Sequence, residues 1–474
     1  MEDTIQLVWT RFLRIWEHVV DALEKGTGFQ ELQSKLREEL DGLGRDILRS
    51  VIEAADQELR ENSSARRGWV VDQRGHEKEL LTVFGPMRYS RTYFKHKASR
   101  ARAYLADRMI GITPHQRIDA GLKAELVERA TDQSYQKSGA WCEVKSWRVS
   151  GQTVMKAVHS VELSKRRRAP AVAARRCVPY LFIQADEDHV SNQRGPRWQP
   201  RLVTVHEGTE GPPERRRLIR PRRFGGLYQG AEAEQLYEQV WNYLDATYDL
   251  EQVQVILVSG DGAPWIRRLC EYLPGAQFVL DRFHAPKYVT EATGARHGLA
   301  AELWKALHEA DRSRMRQVMA QALACAETAT QRERVVESRN YFERQWDGIR
   351  AWKRYKDVWP GCSAEGDVSH VYAPRMSSRP MAWGREGVDH MSRLRVMCAN
   401  GESVNEAYLS QHGEALRPIR MARAYIHRVR SQITENRDLP AVLRGSLPAM
   451  ASSNCALRRL LKSILDKNRL ATAG

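Results

Sequence analysis

Residues 178–186 read VPYLFIQAD, a short, strongly apolar run that ends on an acid. Such a run, bounded by charge on both sides, predicts a buried strand. The same pattern returns at 253–258 (VQVILV), which runs into Ser259-Gly260-Asp261-Gly262-Ala263, and at 277–280 (QFVL), which runs into Asp281. Arg201–His206 and Arg217–Ile219 read as further strands, while Ala231–Ala246 and Pro264–Tyr272 have helical spacing. Strands alternating with helices predict an α/β domain with a mixed sheet. Its first part spans 173–284. Residues 285–360 lack strand-like composition, and Leu303, Leu307, Met315, Val318, Met319, Leu323 and Ala324 keep helical spacing, so a helical insertion is expected there. The α/β pattern resumes over 361–410, opening with GCSAEG at 361–366.

Toward the N-terminus, residues 1–62 read as helices. Ile5, Val8, Trp9, Phe12, Ile15, Trp16, Val19 and Val20 share one helix face, and Phe29, Leu32, Leu36, Leu40, Leu43, Ile47 and Val51 approach a heptad seam. That seam suits packing within the chain or a dimer contact. Residues 63–113 form a small β unit, with strands at Leu80–Phe84 and Met87–Phe94 joined by a Gly85-Pro86 turn. Residues 114–172 carry a helix at Ser134–Trp141, a second at Gln152–Val161 capped by Ser150, and a basic linker, KRRRAPAVAARR, at 165–176. The helix pair has the pattern of a helix-turn-helix, with Gln152, Lys156 and His159 on a surface available to a DNA groove. Residues 411–474 form a basic, helical tail with 12 Lys/Arg against 4 Asp/Glu.

The whole chain has 474 residues, 42% of them hydrophobic and 28% charged, so it has the apolar mass for real cores and is not globally disordered. No stretch approaches the ~20 apolar residues of a membrane helix, and the acidic start, MEDTIQLVW, does not resemble a signal peptide. Seven scattered cysteines without a C-x-x-C argue against a disulfide framework or structural zinc and fit a reducing cytoplasm. A net charge of +16 favours a polyanionic partner, nucleic acid first.

Three acids then stand out: Asp186 and Asp261 close apolar strands, and Glu365 opens a short helix after the helical block. Carboxylates at the carboxyl ends of buried strands sit where α/β sheets form ligand sites. Hard oxygen donors on a rigid scaffold suit Mg²⁺ or Mn²⁺. A pair of such ions activates a water or a 3′-hydroxyl and stabilises the leaving oxygen of a phosphodiester. Taken singly, an Asp at a strand end is more often a turn or cap residue. Asp188, two residues on, faces the same side as Asp186 and is its rival as first ligand. Arg375 and Arg379 are candidate phosphate contacts, since guanidinium grips phosphate bidentately. Trp265 and Trp383 read as packing residues, with base stacking as the alternative.

DEDHV (186–190), GDGAPWI (260–266), LDRFHAPK (280–287), CSAEGDVSH (362–370) and SSRPMAW (377–383) occur in this order, with FGPMRYSRTYF at 84–94 before them. Together they resemble the ISLre-type insertion-sequence transposases, a group related to the Mutator-type DDE transposases and long carried under an uncharacterised-family label. The resemblance covers most of the chain. It implies an RNase H-like catalytic core with an all-helical insertion, behind a mainly helical N-terminal region holding a small β-hairpin. It also implies that Asp186, Asp261 and Glu365 are the catalytic acids and metal ligands. Asp281 and His284 match the D-x-x-H element that follows the second acid. Asp367 departs from the pattern, standing where the family often has His, and adds a charge near the metals. The expected function is a bacterial transposase, cytoplasmic and nucleoid-associated. It would bind the terminal inverted repeats of its own element and target DNA, and use Mg²⁺ or Mn²⁺, as two ions, for cleavage and strand transfer. A synapse of two ends implies a homodimer or higher oligomer. The rival readings are an RNase H-like nuclease or resolvase, and a catalytically inactive DNA-binding descendant.

Overall fold

The structure, a computed structural model, describes residues 2–26, 28–142, 147–163, 174–212, 215–294 and 296–413, with the backbone alone for 2–9. The centre of the basic linker and nearly all of the basic tail therefore lie outside the described residues. Among the described residues no helix is long and apolar enough to cross a membrane. The chain divides into two compact units, with the break between Asp119 and Ala120.

The first unit opens with helices α1 (Glu2–Lys25) and α2 (Phe29–Glu61). Arg11 of α1 donates to Asp46 at 3.0 Å and to Glu39 at 2.8 Å, pinning the two helices together. The heptad-like seam of α2 has two fates. Its members Phe29, Leu40, Ile47 and Val51 stay exposed and Leu32, Leu36 and Leu43 are half-buried, whereas the residues of α2 buried against the β unit, Ile52 and Leu59, lie outside the seam. Strand β1 (Trp69–Thr82) is far longer than the expected segment, and β2 (Gly85–His96) pairs with it antiparallel from Thr82↔Gly85 onward. The turn is thus Val83-Phe84, and the expected Gly85-Pro86 turn instead starts β2; Phe84 is held there by Arg45, which donates to its carbonyl at 2.5 Å. A short strand β3 (Arg102–Tyr104) and helix α3 (Leu105–Met109) complete the unit. Buried Asp107 accepts from Tyr89 at 2.8 Å, from Lys78 at 3.4 Å and from Arg91, which satisfies the one carboxylate the small β unit takes inside.

The second unit begins with α4 (Ala120–Ala130), α5 (Tyr135–Ala140) and α6 (Gly151–His159). Ser134 and Ser150 cap α5 and α6 through their side chains, as their positions predict. The break at Asp119 corrects the expected grouping. The helix pair does not stand apart with the N-terminal region; α4 and α6 pack on the C-terminal helices introduced below.

The expected α/β core follows. Strands β4 (Tyr180–Glu187) and β5 (Arg201–His206) precede a small ribbon of β6 (Thr209–Glu210) and β7 (Arg217–Leu218). After β8 (Arg222–Gly226), α7 (Ala233–Thr247), β9 (Val255–Gly260), α8 (Pro264–Tyr272) and β10 (Ala276–Leu280) complete the alternation. The sheet order is β10-β9-β4-β5-β8. β4, β5 and β8 form an antiparallel meander, and β9 and β10 extend it in parallel to β4. The run at 217–219 belongs to the ribbon, so the third strand of the meander is β8, whose Arg222-Arg223 start hides it from a hydrophobicity reading.

Residues after β10 are helical, as expected: α9 (Ala285–Thr293), α10 (His297–His308), α11 (Arg312–Ala324), α12 (Ala329–Arg344) and α13 (Trp346–Arg354). They do not make a free-standing lobe. Leu303, Leu307, Met315, Val318, Phe342, Ile349 and Trp352 belong to the same apolar cluster as the strand residues Ile183, Leu257 and Val279. The junction is α13 on β10, where Trp352 Nε1 donates to the Leu280 carbonyl at 2.7 Å. Helices α14 (Ala364–Val371), α15 (Ala373–Met376), α16 (Arg385–Ala399) and α17 (Val404–His412) close the unit. α14 covers β4 and β5, α16 lies on β8 and α6, and α17 lies on α4.

Gly348 marks how closely α13 meets the sheet. A Cβ there would stand 2.6 Å from the Phe278 ring and 2.8 Å from the Leu280 nitrogen. Helix propensity alone favours Gly→Ala by about 1 kcal/mol. Overpacking against backbone costs about 1–3 kcal/mol, so the steric effect should decide the sign. Gly348→Ala is expected to lower the urea midpoint. Gly298→Ala in α10, with open space around it, should leave the midpoint unchanged or raise it.

Candidate active site

The register of the sheet sets the first part of the site. Gln184 pairs with Ser259 across β4 and β9, and Leu280 pairs with Gly260 across β10 and β9. Continued past the last paired residues, these registers bring Asp186, Asp261 and Asp281 level at the tips of three neighbouring strands. The Asp281 amide donates to the Gly260 carbonyl at 2.7 Å, which fixes that level.

The three side chains differ in how they are held. Among the described residues Asp186 accepts from the neighbouring Glu187 amide alone, at 2.9 Å. Its carboxyl is pushed up to about 8, first by burial and further by the charges of Asp261 and Glu365. Asp261 accepts the Ala263 amide at 2.8 Å in a tight turn. Buried Asp281 accepts the Phe283 amide at 3.1 Å, and burial raises its pKa, opposed by that hydrogen bond and by Cys362. His284 is half-buried at the start of α9.

The third acid arrives through a polar clamp. Gln184 is 3% exposed, with its amide turned onto the start of α14. Its oxygen accepts the Ser363 amide at 2.9 Å, and its nitrogen donates to Asp367 at 2.8 Å. Glu365 lies between these two anchors, exposed, and within electrostatic reach of Asp186 and Asp188. Asp367 is paired with Arg223 of β8 at 3.0 Å, so the charge expected beside the metals is already neutralised and structural.

The helical insertion holds the loop of the second acid. Gln345, between α12 and α13, reaches the carbonyls of Asp261 and Gly262 at 3.5 and 3.4 Å. Gly262 has φ of 86°, and a Cβ there would stand 2.2 Å from the Gln345 amide, so only glycine fits. Trp359 Nε1 donates to Ser259 Oγ at 2.9 Å one strand turn away.

Other expected site residues fall in different places. Asp188 is 8% exposed and accepts Ser377 Oγ at 2.8 Å and the His189 amide at 2.7 Å, so it carries satisfied hydrogen bonds that Asp186 lacks. Arg375 is not a phosphate contact. It is 4% exposed, donates to the Ala130 carbonyl at 2.8 Å, and lies over the rings of Tyr135 and Trp383. Arg379 is exposed. Gln152 and Lys156 are exposed on α6, but His159 is turned inward, 3.3 Å from Glu386 and stacked on His390 of α16. Trp265 and Trp383 are packed, at 7% and 6% exposure. Glu187 was missed by the sequence reading. It accepts the Trp265 indole N–H and sits in the field of Asp261, with burial raising its pKa first. Gln184 was missed as well, although a glutamine inside an apolar strand is the signal that could have found it.

Among the described residues no three His, Cys, Asp or Glu side chains converge as a ready metal cage. The donor set nonetheless fits a hard divalent cation. Asp186, Asp261 and Glu365 supply carboxylate oxygens, and the charges named at Asp186 are all negative. A cation would relieve the repulsion that raises the Asp186 carboxyl.

Fold and site together define an α/β protein with a mixed sheet whose parallel strand tips carry a carboxylate cluster, closed over by a helical insertion. The chain belongs to the family described as Uncharacterised protein family (UPF0236), which matches residues 22–412. It is similar to UPF0236 proteins of Caldanaerobacter subterraneus subsp. tengcongensis. One, whose name joins eleven locus designations, is 36% identical over 388 residues, 81% of either chain. Another is 36% identical over 387 residues, 81% of this chain and 82% of the relative. A UPF0236 protein in the vanSb 3′ region of Streptococcus gallolyticus is 23% identical over 387 residues, 80% of this chain and 85% of the relative.

The Asp186 carboxyl stands near 8 when folded against an ordinary 3.8. Between those values the folded state keeps a proton that the unfolded chain has released. This contribution therefore lowers stability as pH rises through that window. Asp186→Asn should remove it, so the variant's urea midpoint should exceed the wild type's near about pH 8, with the gap closing toward about pH 4. Mg²⁺ or Mn²⁺ should raise the melting temperature of the wild type at the higher pH and leave Asp186→Asn unmoved. Parallel pH profiles for the two proteins would remove the raised carboxyl from the account.

Proposed function

We propose that the chain is a DDE transposase of a bacterial insertion sequence, built on an RNase H-like core. The observation that carries this reading is the cluster itself. Asp186, Asp261 and Glu365 come from three sequence blocks in family order, and the charges of Asp261 and Glu365 both act on Asp186 at the sheet edge. The sheet supports it too, as an antiparallel meander extended by two parallel strands. So does the multiplicity of the relative whose name joins eleven loci, which is what an element that copies or moves itself produces.

Asp186, Asp261 and Glu365 would hold Mg²⁺ or Mn²⁺, as two ions. Bound there, the ions would activate the attacking oxygen and stabilise the leaving one at phosphorus. Cleavage at the element end places a water oxygen on phosphorus and releases the 3′-hydroxyl. In joining, that hydroxyl attacks a target phosphodiester, forming one P–O bond and breaking the bond to the target 3′-oxygen. The displacement at phosphorus is the same in both steps, so one carboxylate cluster serves both. Asp281 fixes the backbone that leads into His284, which then faces the substrate beside the cluster. Exposed Arg379 suits a phosphate, and Gln152 and Lys156 on α6 suit base readout. The exposed residues Leu40, Ile47 and Val51 of α2 are the candidate contact for a homodimer that pairs two ends.

Asp186→Asn, Asp261→Asn and Glu365→Gln should each reduce cleavage and joining by roughly a thousandfold or more. Binding to element-end duplex, read by gel shift, should survive. Asp188→Asn should retain cleavage, because its carboxylate is committed to Ser377. An inactive Asp188→Asn beside an active Asp186→Asn would exchange the two assignments. Cleavage without joined products would mark a nuclease instead. Gln152→Ala and Lys156→Ala should reduce the preference for element ends over random duplex in the same gel shift, with cleavage chemistry intact. An unchanged preference would take base readout away from α6.

A further inference from the structure

An aromatic ring beside the acid cluster is turned largely to solvent. Trp265 and Trp383, the two tryptophans weighed as base-stacking candidates, are both buried and offer no face to a base. Phe283, two residues after Asp281, is 58% exposed. Its position is fixed: the Asp281 carboxylate accepts the Phe283 amide at 3.1 Å, and the His284 ring stands edge-on to it at 5.1 Å and 88°. An exposed phenyl ring contributes almost nothing to folding, yet this one sits on a rigid turn at the sheet tip that carries Asp261 and Asp186.

Its neighbour has the matching charge. The Arg282 guanidinium rests over the rings of Trp352 and Trp359, at 5.0 and 5.3 Å. Both indoles are anchored, to the Leu280 carbonyl and to Ser259 Oγ. A fixed cation, an exposed aromatic face and a carboxylate cluster thus follow one another along a single turn. A phosphate, a base and a scissile phosphodiester follow one another along a nucleotide strand. Bases in intact duplex show only their edges, so a lone ring can take up a base only when that base is unpaired.

We propose that Phe283 stacks on an unpaired base next to the scissile phosphodiester, with Arg282 on an adjacent phosphate. This rests on the reading of the chain as acting on DNA. Stacking there offsets the cost of opening the duplex end, so that the backbone can enter the acid cluster.

The test uses the full chain in EDTA, which blocks cleavage, and two probes. One is a forked DNA duplex with 2-aminopurine at the first unpaired position; the other is the matched blunt duplex. Wild-type protein should quench the 2-aminopurine and bind the fork more tightly than the blunt duplex. Phe283→Ala should lose the quenching and bind the fork about tenfold more weakly, with blunt-duplex affinity unchanged. Phe283→Trp should restore both. Because the ring is exposed, the variants should keep the wild-type circular dichroism and melting temperature. Equal fork affinity and quenching by wild type and Phe283→Ala would overturn the stacking role while leaving the DNA reading intact. Failure of the wild type to bind either probe would overturn the DNA reading, and the stacking role with it.

Discussion

The site depends on one buried amide. Gln184 sits in the central strand, where an apolar side chain would pack better, and spends its hydrogen bonds on Ser363 and Asp367, residues far along the chain. A buried amide is tolerated only when its donors and acceptors are matched, and here oxygen and nitrogen each find partners on α14. Replacing either side of this pairing would strand polar groups in the core. The pairing therefore fixes where the chain re-enters after the long helical insertion, and with it the placement of Glu365 opposite Asp186. Arg223 completes the arrangement by neutralising Asp367, which leaves Asp186 facing the negative charges of Asp261 and Glu365.

That arrangement costs the fold stability. Burial, with the charges of Asp261 and Glu365, raises the proton affinity of Asp186, and the fold must supply the stability lost in holding that carboxyl. The helical insertion meets this need by sharing its apolar core with the sheet. Its contacts end on the loops that bear the acids: Gln345 on the Asp261 turn, Trp352 on the end of β10, and Trp359 on Ser259. Scaffold and insertion thus brace the same few residues from two directions.

Much of this was legible in the sequence, and the rest was hidden for identifiable reasons. The strands at 178–186, 253–258 and 277–280 announced themselves because buried strands are continuous apolar runs, and the acids that end them mark the sheet edge. The helix start at Ser150 was readable from cap chemistry, and Ser134, taken as the first residue of its helix, proves to be the cap. β8 was not, because an edge strand beginning Arg222-Arg223 carries side chains that serve Glu402 and Asp367 rather than an apolar face. Long β1 was missed because residues such as Gln73, Arg74 and Glu77 give no alternating apolar signal. Arg375 and His159 were misplaced because a charged residue's burial depends on partners from distant segments, here Ala130 and Glu386, which spacing does not reveal. Gln345 was invisible for the same reason, whereas Gln184 stood out as a polar residue in an apolar strand but its partners on α14 did not.

The common core of insertion and sheet also governs how the molecule opens. A helical block tethered only by its two ends would breathe by itself, and its amides would exchange with solvent while the sheet stayed closed. With Trp352 bonded to β10 and Gly348 seated on Phe278, α13 cannot lift without exposing the edge strand. The amides of α13 and β10 then belong to one cooperative unit and gain protection together. The segment that interrupts the α/β chain is in this sense the outer wall of the sheet, and its integrity sets the lifetime of the Asp261 turn.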